Sequence, residues 1–458
     1  MIRRAGAFAA VTLAVLAVGG PSAAAITPPE VDPAASPPTG SAGPVQPMAQ
    51  RSECVASGVI AGTDPGMVNP NQLSLNLSDA WRHSRGEGQL VAVIDTGVKP
   101  GPRLPNVDPG GDFVADTDGL TDCDGRGTLV AGLIAGQPGA DGFSGVAPAA
   151  RIVSIRQTSP RFAPSSAGED PAVTQATIDV ATLARAVVRA ADLGARVINI
   201  SAVTCIPANM DIDQSELGAA LRYAAVEKDV VIVAAAGDTE GGATAGAACE
   251  SNPLTDPARP SDPRNWSSAT SVSIPSWWQP YVLSVGALTP EGRPARSTMA
   301  GPWLGIAAPG ENITSVSNDA DGGLANGMPN SDREMSPIGG TGYAAAYVSG
   351  VAALVRSRFP DLKAQQVVGR ITGTAHTAAR APSNLVGAGT VDAVAALTWQ
   401  VPAEVDVDPA AVRQTAAPPA PAPENPLPRT VAFTGVGLLA ALVLAVLVAR
   451  AQRKDTSS

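Results

Sequence analysis

Short apolar runs alternate with longer stretches of helical periodicity through the middle of this 458-residue chain. Each run is about five residues long and almost continuously apolar, a pattern typical of strands that are buried on both faces of a sheet. The predicted strands are Leu90–Ile94, Arg151–Ile155, Arg196–Ile200, Val230–Ala234, Tyr281–Val285 and Leu304–Ala308.

Amphipathic segments lie between the predicted strands. Thr177–Asp192 places its apolar residues on one face of a helix, and Asp213–Glu227 and Thr341–Ser357 show a similar pattern. Strands that alternate with helices predict an α/β fold, with a parallel central sheet flanked by helices and joined by right-handed crossovers. Functional side chains in such sheets lie beyond the carboxyl ends of the strands, where the sequence places Asp95 and Asp238.

The N-terminal end of the chain has a different composition. Residues 1–25 carry two arginines, an apolar stretch and three alanines at a small-residue cleavage site, which predicts a signal peptide. Residues 26–50 hold seven prolines and no aromatic residue. We therefore expect an extended N-terminal extension before the main domain, residues 51–400.

The C-terminal end predicts a membrane anchor. Residues 401–430 are a proline-rich linker, and residues 431–449 contain no charged residue. As a helix the latter segment would span about 28 Å, close to the thickness of a bilayer core. The basic residues that follow hold the tail, residues 450–458, in the cytoplasm by the positive-inside rule. The sequence therefore predicts a single-pass protein of the cell membrane, with one C-terminal transmembrane helix and an extracytoplasmic folded domain.

The charge balance excludes one class of partner, and the cysteine count fits an exported protein. A net charge of −10 without a basic block argues against nucleic-acid binding. The four cysteines suggest two disulfides, for which three pairings are possible. A zinc site is disfavoured because the chain has no Cys-x-x-Cys pair. The cysteines are Cys54, Cys123, Cys205 and Cys249.

Four sequence blocks carry a family resemblance. They are VAVIDTGV at 91–98, DGRGTLVAGLIAG at 124–136 with GVAP at 145–148, VIVAAAGD at 231–238, and GTGYAAAYVSGVAAL at 340–354. In this order the blocks resemble those of the subtilisin-like serine proteases (peptidase S8 type), from about residue 72 to about residue 398. With the export signal, the linker, the C-terminal span and the four cysteines, the whole chain resembles the mycosins, which are membrane-anchored subtilases of type VII secretion systems.

The resemblance implies a role for each matching position. Asp95 matches the family's catalytic aspartate, and Arg126 stands where the family has its catalytic histidine. Asp238 stands at the position of the oxyanion-hole asparagine, and Gly342 at that of the nucleophilic serine. The resemblance also implies the disulfides Cys54–Cys123 and Cys205–Cys249, and it implies no cofactor and no metal.

The residues at these positions cannot perform the family's chemistry. Gly342 has no hydroxyl with which to attack a carbonyl, and Arg126 is only a donor, so it cannot take a proton at neutral pH. Asp238 presents an acceptor where a developing oxyanion needs a donor, and losing that donor alone costs about 2.7–4 kcal/mol. The leading hypothesis is a pseudoprotease that serves as a structural or peptide-binding component among the membrane subunits of a type VII secretion complex.

Two other functions remain open. One is a serine-type endopeptidase with an altered catalytic site, and the other is a peptide-binding or inhibitory decoy without secretion machinery. The histidines at 83 and 376 are interpreted as surface residues. An extended peptide could add to the strand that runs from Arg196 to Val203 in a relic groove, and the helix that opens at Gly340 could bind an anion or a carbonyl.

The replaced positions also predict a new contact. If the family fold is kept, Arg126 and Asp95 face each other at hydrogen-bond distance, and the pairing can be bidentate. Asp238 is expected to compete for the same guanidinium. Three tryptophans in the insertion from Thr239 to Pro280 are candidates for a partner surface, although Trp277 and Trp278 are favoured as a local cover of the sheet.

Overall fold

The computed structural model describes residues 26–166, 170–240, 245–246, 249–256, 258–377 and 382–401. The predicted signal peptide, nearly all of the linker, the predicted transmembrane helix and the cytoplasmic tail lie outside these residues. Within the described ranges, no helix is both long enough and apolar enough to cross a membrane.

The described strands fall into one large sheet and several small ones. In chain order they are β1 (Met48–Gln50), β2 (Leu90–Asp95), β3 (Val107–Asp112), β4 (Arg151–Arg156), β5 (Phe162–Pro164), β6 (Val197–Ile200), β7 (Thr204–Pro207), β8 (Val231–Ala235), β9 (Ala245–Gly246), β10 (Ser271–Ile274), β11 (Val282–Leu288), β12 (Leu304–Pro309), β13 (Ser315–Val316), β14 (Leu324–Ala325), β15 (Gly327–Pro329), β16 (Met335–Pro337), β17 (His376–Thr377) and β18 (Gly389–Thr390).

The described α-helices lie mainly between the strands of the large sheet. They are α1 (Pro70–Ser74), α2 (Leu77–Ala80), α3 (Arg126–Ala135), α4 (Pro171–Asp192), α5 (Ser215–Arg222), α6 (Thr341–Arg358), α7 (Ala364–Gly373) and α8 (Ala393–Thr398). A π-helical turn, Tyr223–Glu227, continues α5, and a single 3₁₀ turn spans Trp266–Ser268.

The large sheet has nine strands in the order β17-β18-β12-β11-β8-β6-β2-β4-β3. Its pairs are parallel except for the antiparallel pair of β17 and β18 at one edge. Helices α3 and α6 cover one face, and α4 and α5 cover the other. The α/β fold predicted from the sequence, a parallel central sheet flanked by helices, is confirmed.

The strand prediction was correct for six of the nine strands of this sheet and missed β3 and the two short edge strands β17 and β18. Each predicted run lies on one of the strands β2, β4, β6, β8, β11 and β12. Strand β3 contains Pro109, Gly110 and Gly111, which are residues that disfavour strands. It forms because β4 offers it a parallel partner from Val107 to Asp112, with a register shift at the glycines.

The N-terminal belt, residues 26–57, lies extended along the surface of the folded domain. Its Gly43 amide donates to the Asp112 carbonyl at 2.7 Å, and Arg185 of α4 donates to the Ser41 carbonyl at 2.5 Å. Strand β1 pairs antiparallel with β5. Ile26 and Val31 pack against the apolar core beside α4 and α5. The residues predicted to form a proline-rich extension are therefore held against the domain by hydrogen bonds and apolar contacts.

Both predicted disulfides are present. Cys54 of the belt is bonded to Cys123, which lies just before α3. Cys205 of β7 is bonded to Cys249 in the insertion that follows β8. The pairing that the family resemblance implied is therefore confirmed.

The tryptophans of the insertion pack locally. The indole N–H groups of Trp277 and Trp278 both donate to the Gln214 side-chain oxygen, at 2.9 and 3.0 Å. Trp266 lies 5.9 Å from Trp303, centroid to centroid, in a tilted pair. The local cover favoured for Trp277 and Trp278 is confirmed.

Candidate active-site region

The four residues that the resemblance assigned to a catalytic site lie on separate elements of the large sheet and its helices. Asp95 is the last residue of β2, and Arg126 is the first residue of α3. Asp238 follows the end of β8, and Gly342 lies in the first turn of α6. Strands β6, β2 and β8 are neighbours in the sheet, so their carboxyl ends meet at one edge.

Arg126 and Asp95 form an ion pair, as expected from the sequence. The Arg126 Nε donates to Asp95 Oδ1 at 2.8 Å, and the Asp95 side chain is fully buried while 14% of the Arg126 side chain is exposed. Asp95 Oδ1 also accepts from the Thr96 amide at 2.7 Å. Among the described residues, Asp95 Oδ2 and Arg126 Nη2 have no hydrogen-bond partner. The pair is therefore joined by one contact and is not bidentate.

The ion pair keeps Arg126 protonated. Burial alone would lower the pKa of this guanidinium, but the charge and the hydrogen bond of Asp95 outweigh burial and raise the pKa above its usual value. The charge of Asp124 acts in the same direction. An arginine in this state donates hydrogen bonds and cannot serve as a general base.

Two glycines bring α3 against the end of β2. Gly97 has a φ of +98°, and a Cβ there would lie 2.1 Å from the Thr121 carbonyl oxygen. A Cβ at Gly127 would lie 1.9 Å from the Gly97 carbonyl oxygen. Because only glycine permits this approach, these two positions fix the distance between Arg126 and Asp95.

Asp122 anchors the start of α3, a role that the sequence reasoning missed. Its Oδ2 accepts from the Thr128 amide at 2.8 Å and from the Thr128 hydroxyl at 2.6 Å. Its Oδ1 accepts from the Gly125 amide and the Thr96 hydroxyl, at 2.8 and 2.9 Å. Burial raises the pKa of Asp122 to about 6, against the opposing effect of the Thr128 hydrogen bonds. An acidic residue shortly before a helix start was the available signal.

Asp238 binds the N-terminus of α6 and forms neither a hydrogen bond nor an ion pair with Arg126. The Thr341 amide donates to Asp238 Oδ1 at 3.0 Å, and the Thr341 hydroxyl donates to Oδ2 at 2.9 Å. Burial raises the pKa of Asp238 to about 6, although the bonds from Thr341 and the charge of Arg126 oppose the rise. The expectation that Asp238 competes for the guanidinium is wrong. Asp238 accepts hydrogen bonds from the amide and the hydroxyl of Thr341 and leaves the Arg126 guanidinium to Asp95.

Thr341 fastens the loop after β8 to the start of α6. Besides its two bonds to Asp238, its hydroxyl accepts from the Gly237 amide at 3.1 Å. The amide at the start of α6 that could have bound an external anion or carbonyl therefore already has a partner within the chain. One helical step of about 100° separates the direction of the Thr341 side chain from that of position 342, and it directs the Thr341 hydroxyl to Asp238.

Gly342 lies against Ser201, at the end of β6. A Cβ at Gly342 would lie 3.0 Å from the Ser201 Cβ and 3.1 Å from the Ser201 carbonyl oxygen, which is closer than ordinary contact. Ser201 is held in place by Asn199, whose Nδ2 donates to the Ser201 hydroxyl at 2.7 Å. Asn199 Oδ1 in turn accepts from the Ser349 hydroxyl of α6 at 2.9 Å. A side chain at 342 would require this supported serine to shift by a few tenths of an ångström.

Neither histidine contributes to this region. His83 is exposed in a turn after α2. His376 is 75% exposed on the edge strand β17, with its Nε2 at 3.0 Å from Asp392 Oδ2. In the part of the chain that the structure describes, no cluster of three histidine, cysteine, aspartate or glutamate side chains could hold a metal ion.

Comparisons with known proteins agree with this architecture. The model of the subtilase family matches residues 86–389. Mycosin-3 of Mycobacterium tuberculosis is 62% identical over 460 residues, which cover 100% of both chains. Mycosin-1 of Mycolicibacterium smegmatis is 43% identical over 454 residues, which cover 97% of this chain and 99% of that one.

Solved structures show the same similarity. The structure of the MycP3 protease from the type VII (ESX-3) secretion system is 70% identical with a TM-score of 0.79, covering 82% of this chain and 100% of that one. A chain in the structure of an intact ESX-5 inner membrane complex is 45% identical with a TM-score of 0.80, covering 92% of this chain and 99% of that one.

Proposed function

This chain belongs to the subtilase family and, within it, to the mycosins, and from that membership we propose that it is a structural subunit of a type VII secretion complex that acts without proteolysis. The ion pair of Arg126 with the fully buried Asp95 carries this proposal. An arginine that holds the aspartate stabilises the fold and removes the base that a serine protease needs.

Two further contacts support the loss of catalysis. The Asp238 carboxylate binds the Thr341 amide, so a negative charge occupies the place where a developing oxyanion would need donors. Gly342 supplies no nucleophile and is bordered by Ser201. Together these contacts replace the base, the oxyanion donor and the nucleophile with groups that hold β2, β6, β8, α3 and α6 to one another. The alternative of a serine endopeptidase with an altered site has no candidate base or nucleophile among these groups.

The proposed partners are the membrane subunits of a type VII secretion complex. A relative that is 45% identical occurs in the structure of the ESX-5 inner membrane complex, and another is described as part of the periplasmic assembly of that complex. We infer the same setting for this chain, with the folded domain outside the cytoplasm and residues 431–449 as the single membrane span.

Peptide binding in the relic groove is a weaker second role. Ser201, Ala202 and Val203, which follow β6, are each only 7% exposed. An extended peptide that added to this edge would first have to displace the groups that cover it.

Gene deletion and complementation test the structural role. Deletion should abolish secretion by the cognate system, and the parent chain should restore it. A chain that ends before Thr430 should be released from the membrane as a folded domain and should restore secretion poorly. An Asp95→Asn variant removes the remaining catalytic-type residue. Because it also breaks the ion pair with Arg126, its ability to restore secretion is compared with that of Arg126→Ala, which loses the same pair but keeps Asp95. Secretion that is unchanged by the deletion, or that requires a hydrolytic activity of this chain, would refute the proposal.

A further inference from the structure

A small polar cavity lies beneath the N-terminal belt, away from the active-site region. Its volume is about 10 Å³, close to the smallest space that holds one water molecule. Belt residues Val45 and Met48 cover it, and α4 forms its floor with Gln175, Asp179 and Thr182. The loops after β3 and β4 complete the wall, with Phe113, Val114, Gln157, Thr158 and Ser159.

Asp179 is an unusual residue for such a place. It is 4% exposed in the middle of α4. Its Oδ1 accepts one bond, from Gln175 Nε2 at 3.0 Å, and its Oδ2 has no partner among the described residues. The lining residues from the belt, from both loops and from α4 include no other titratable or charged side chain. The carboxyl group therefore has no counter-charge within the cavity.

We propose that protonation of Asp179 closes the belt over this cavity and that its ionisation loosens the belt, so that belt docking depends on pH. A buried carboxylate with one hydrogen bond and no cation is unfavourable unless water reaches it. The belt is the part of the wall that can yield most easily, because Val45 lies in a bend just before β1 and is already 41% exposed. The disulfide at Cys54 would keep a loosened belt attached to the domain.

The direction of the pH dependence follows from the environment of Asp179. Burial raises its pKa from 3.8 to about 7, against a smaller opposing effect of the Gln175 hydrogen bond. A raised pKa in the docked state means that docking is strongest at low pH and weakens as the pH rises from about 4 to about 7. Above that range the docking equilibrium becomes independent of this group.

Hydrogen exchange of the full chain in detergent tests the proposal. The amides of Gly43 and of β1, corrected for the intrinsic exchange rate, report belt opening. From pH 5 to pH 8, we expect their protection in the parent to fall by between about ten- and a hundred-fold, since one coupled proton gives up to about tenfold per pH unit. Asp179→Asn should keep the low-pH protection throughout. Asp116→Asn, an exposed carboxyl in the loop after β3, should behave as the parent.

A second variant keeps the test decisive if Asp179→Asn does not fold. Gln175→Met removes the hydrogen bond that lowers the pKa of Asp179, so the loss of protection should shift to higher pH. The proposal would be overturned if the protection of the parent did not change with pH. It would also be overturned if Asp179→Asn or Gln175→Met showed the same pH dependence as the parent. The inference rests on the fold and the belt alone, so its outcome is independent of the proposed function.

Discussion

The Asp238 carboxylate accepts hydrogen bonds from both the amide and the hydroxyl of Thr341, at 3.0 and 2.9 Å. The contact fastens the loop after β8 to the first turn of α6. A negative charge at this place also interacts favourably with the positive end of the helix dipole. Gly340 makes the contact possible, because its φ is +139° and a Cβ there would lie 3.1 Å from Asp238 Oδ2. The position that the family resemblance assigned to the oxyanion donor is here an internal cap.

The pH dependence of stability should reflect the burial of Asp238. Because burial raises the pKa of Asp238 to about 6, its ionisation is disfavoured in the folded state. Its contribution to the free energy of unfolding is therefore fully present below about pH 4 and is lost as the pH rises to about 6. Asp238→Asn should remove roughly 1–3 kcal/mol of this pH-dependent change, measured by denaturant unfolding from pH 4 to pH 7. Glu240→Gln, two residues further on and exposed, should leave the profile unchanged. A profile unaltered by Asp238→Asn would show that burial does not raise the pKa of Asp238.

Removal of Arg126 should destabilise the fold. Arg126→Ala leaves the fully buried Asp95 without its cation, and breaking a buried ion pair costs about 3–5 kcal/mol. The melting temperature near neutral pH should fall accordingly.

The control is Arg151→Ala, which breaks a pair with Asp108 whose side chains are 63% and 39% exposed. That change should cost at most about 1 kcal/mol, as surface pairs do. If Arg126→Ala melts at the parent temperature, the ion pair has no structural role.

Partial restoration of the family residues should not restore proteolysis. Arg126→His with Gly342→Ser supplies a base and a hydroxyl, but the side chain at 342 crowds Ser201 and the oxyanion would face Asp238. Adding Asp238→Asn to the double variant should raise the cleavage rate by about 10²–10³, the value of one oxyanion donor. Cleavage of a peptide substrate by both variants would be compared. Strong cleavage by the double variant would show that Asp238 does not block catalysis.

The disulfide in the insertion should add stability by closing a long loop. Replacing Cys205 and Cys249 together by serine should cost about 4 kcal/mol, since the bond joins residues 44 positions apart. Chemical denaturation under oxidising conditions measures the loss. The parent under reducing conditions should lose at least as much, because both of its disulfides open. Equal stability of the variant and the oxidised parent would contradict this prediction.

The sequence predicted the large sheet because each buried strand is a continuous apolar run, as Leu90–Ile94 illustrates. It did not predict β3, where proline and glycine are tolerated because the strand lies at the edge of the sheet. The belt could not be foreseen either. Its proline content indicated extended chain. The groups that bind the belt, such as the Asp112 carbonyl, belong to residues that are distant in sequence.

The candidate site was predictable only where motif positions were involved. The pairing of Arg126 with Asp95 followed from their places in the family resemblance, and it was confirmed. The roles of Thr341 and Ser201 depend on tertiary contacts to Asp238 and Gly342, and no local pattern records such contacts. A hydrogen bond between segments about a hundred residues apart has no periodicity in sequence.

The most direct test of the central claim is intact-mass analysis of the purified full chain after treatment with a fluorophosphonate probe, together with a digest of a broad peptide library. An active subtilisin of known concentration is the positive control. The account predicts no probe adduct and no cleavage above background from pH 5 to pH 9, because Gly342 offers no nucleophile and Arg126 offers no base. A stoichiometric adduct on any residue, or cleavage that survives repurification and is inhibited by the probe, would contradict it.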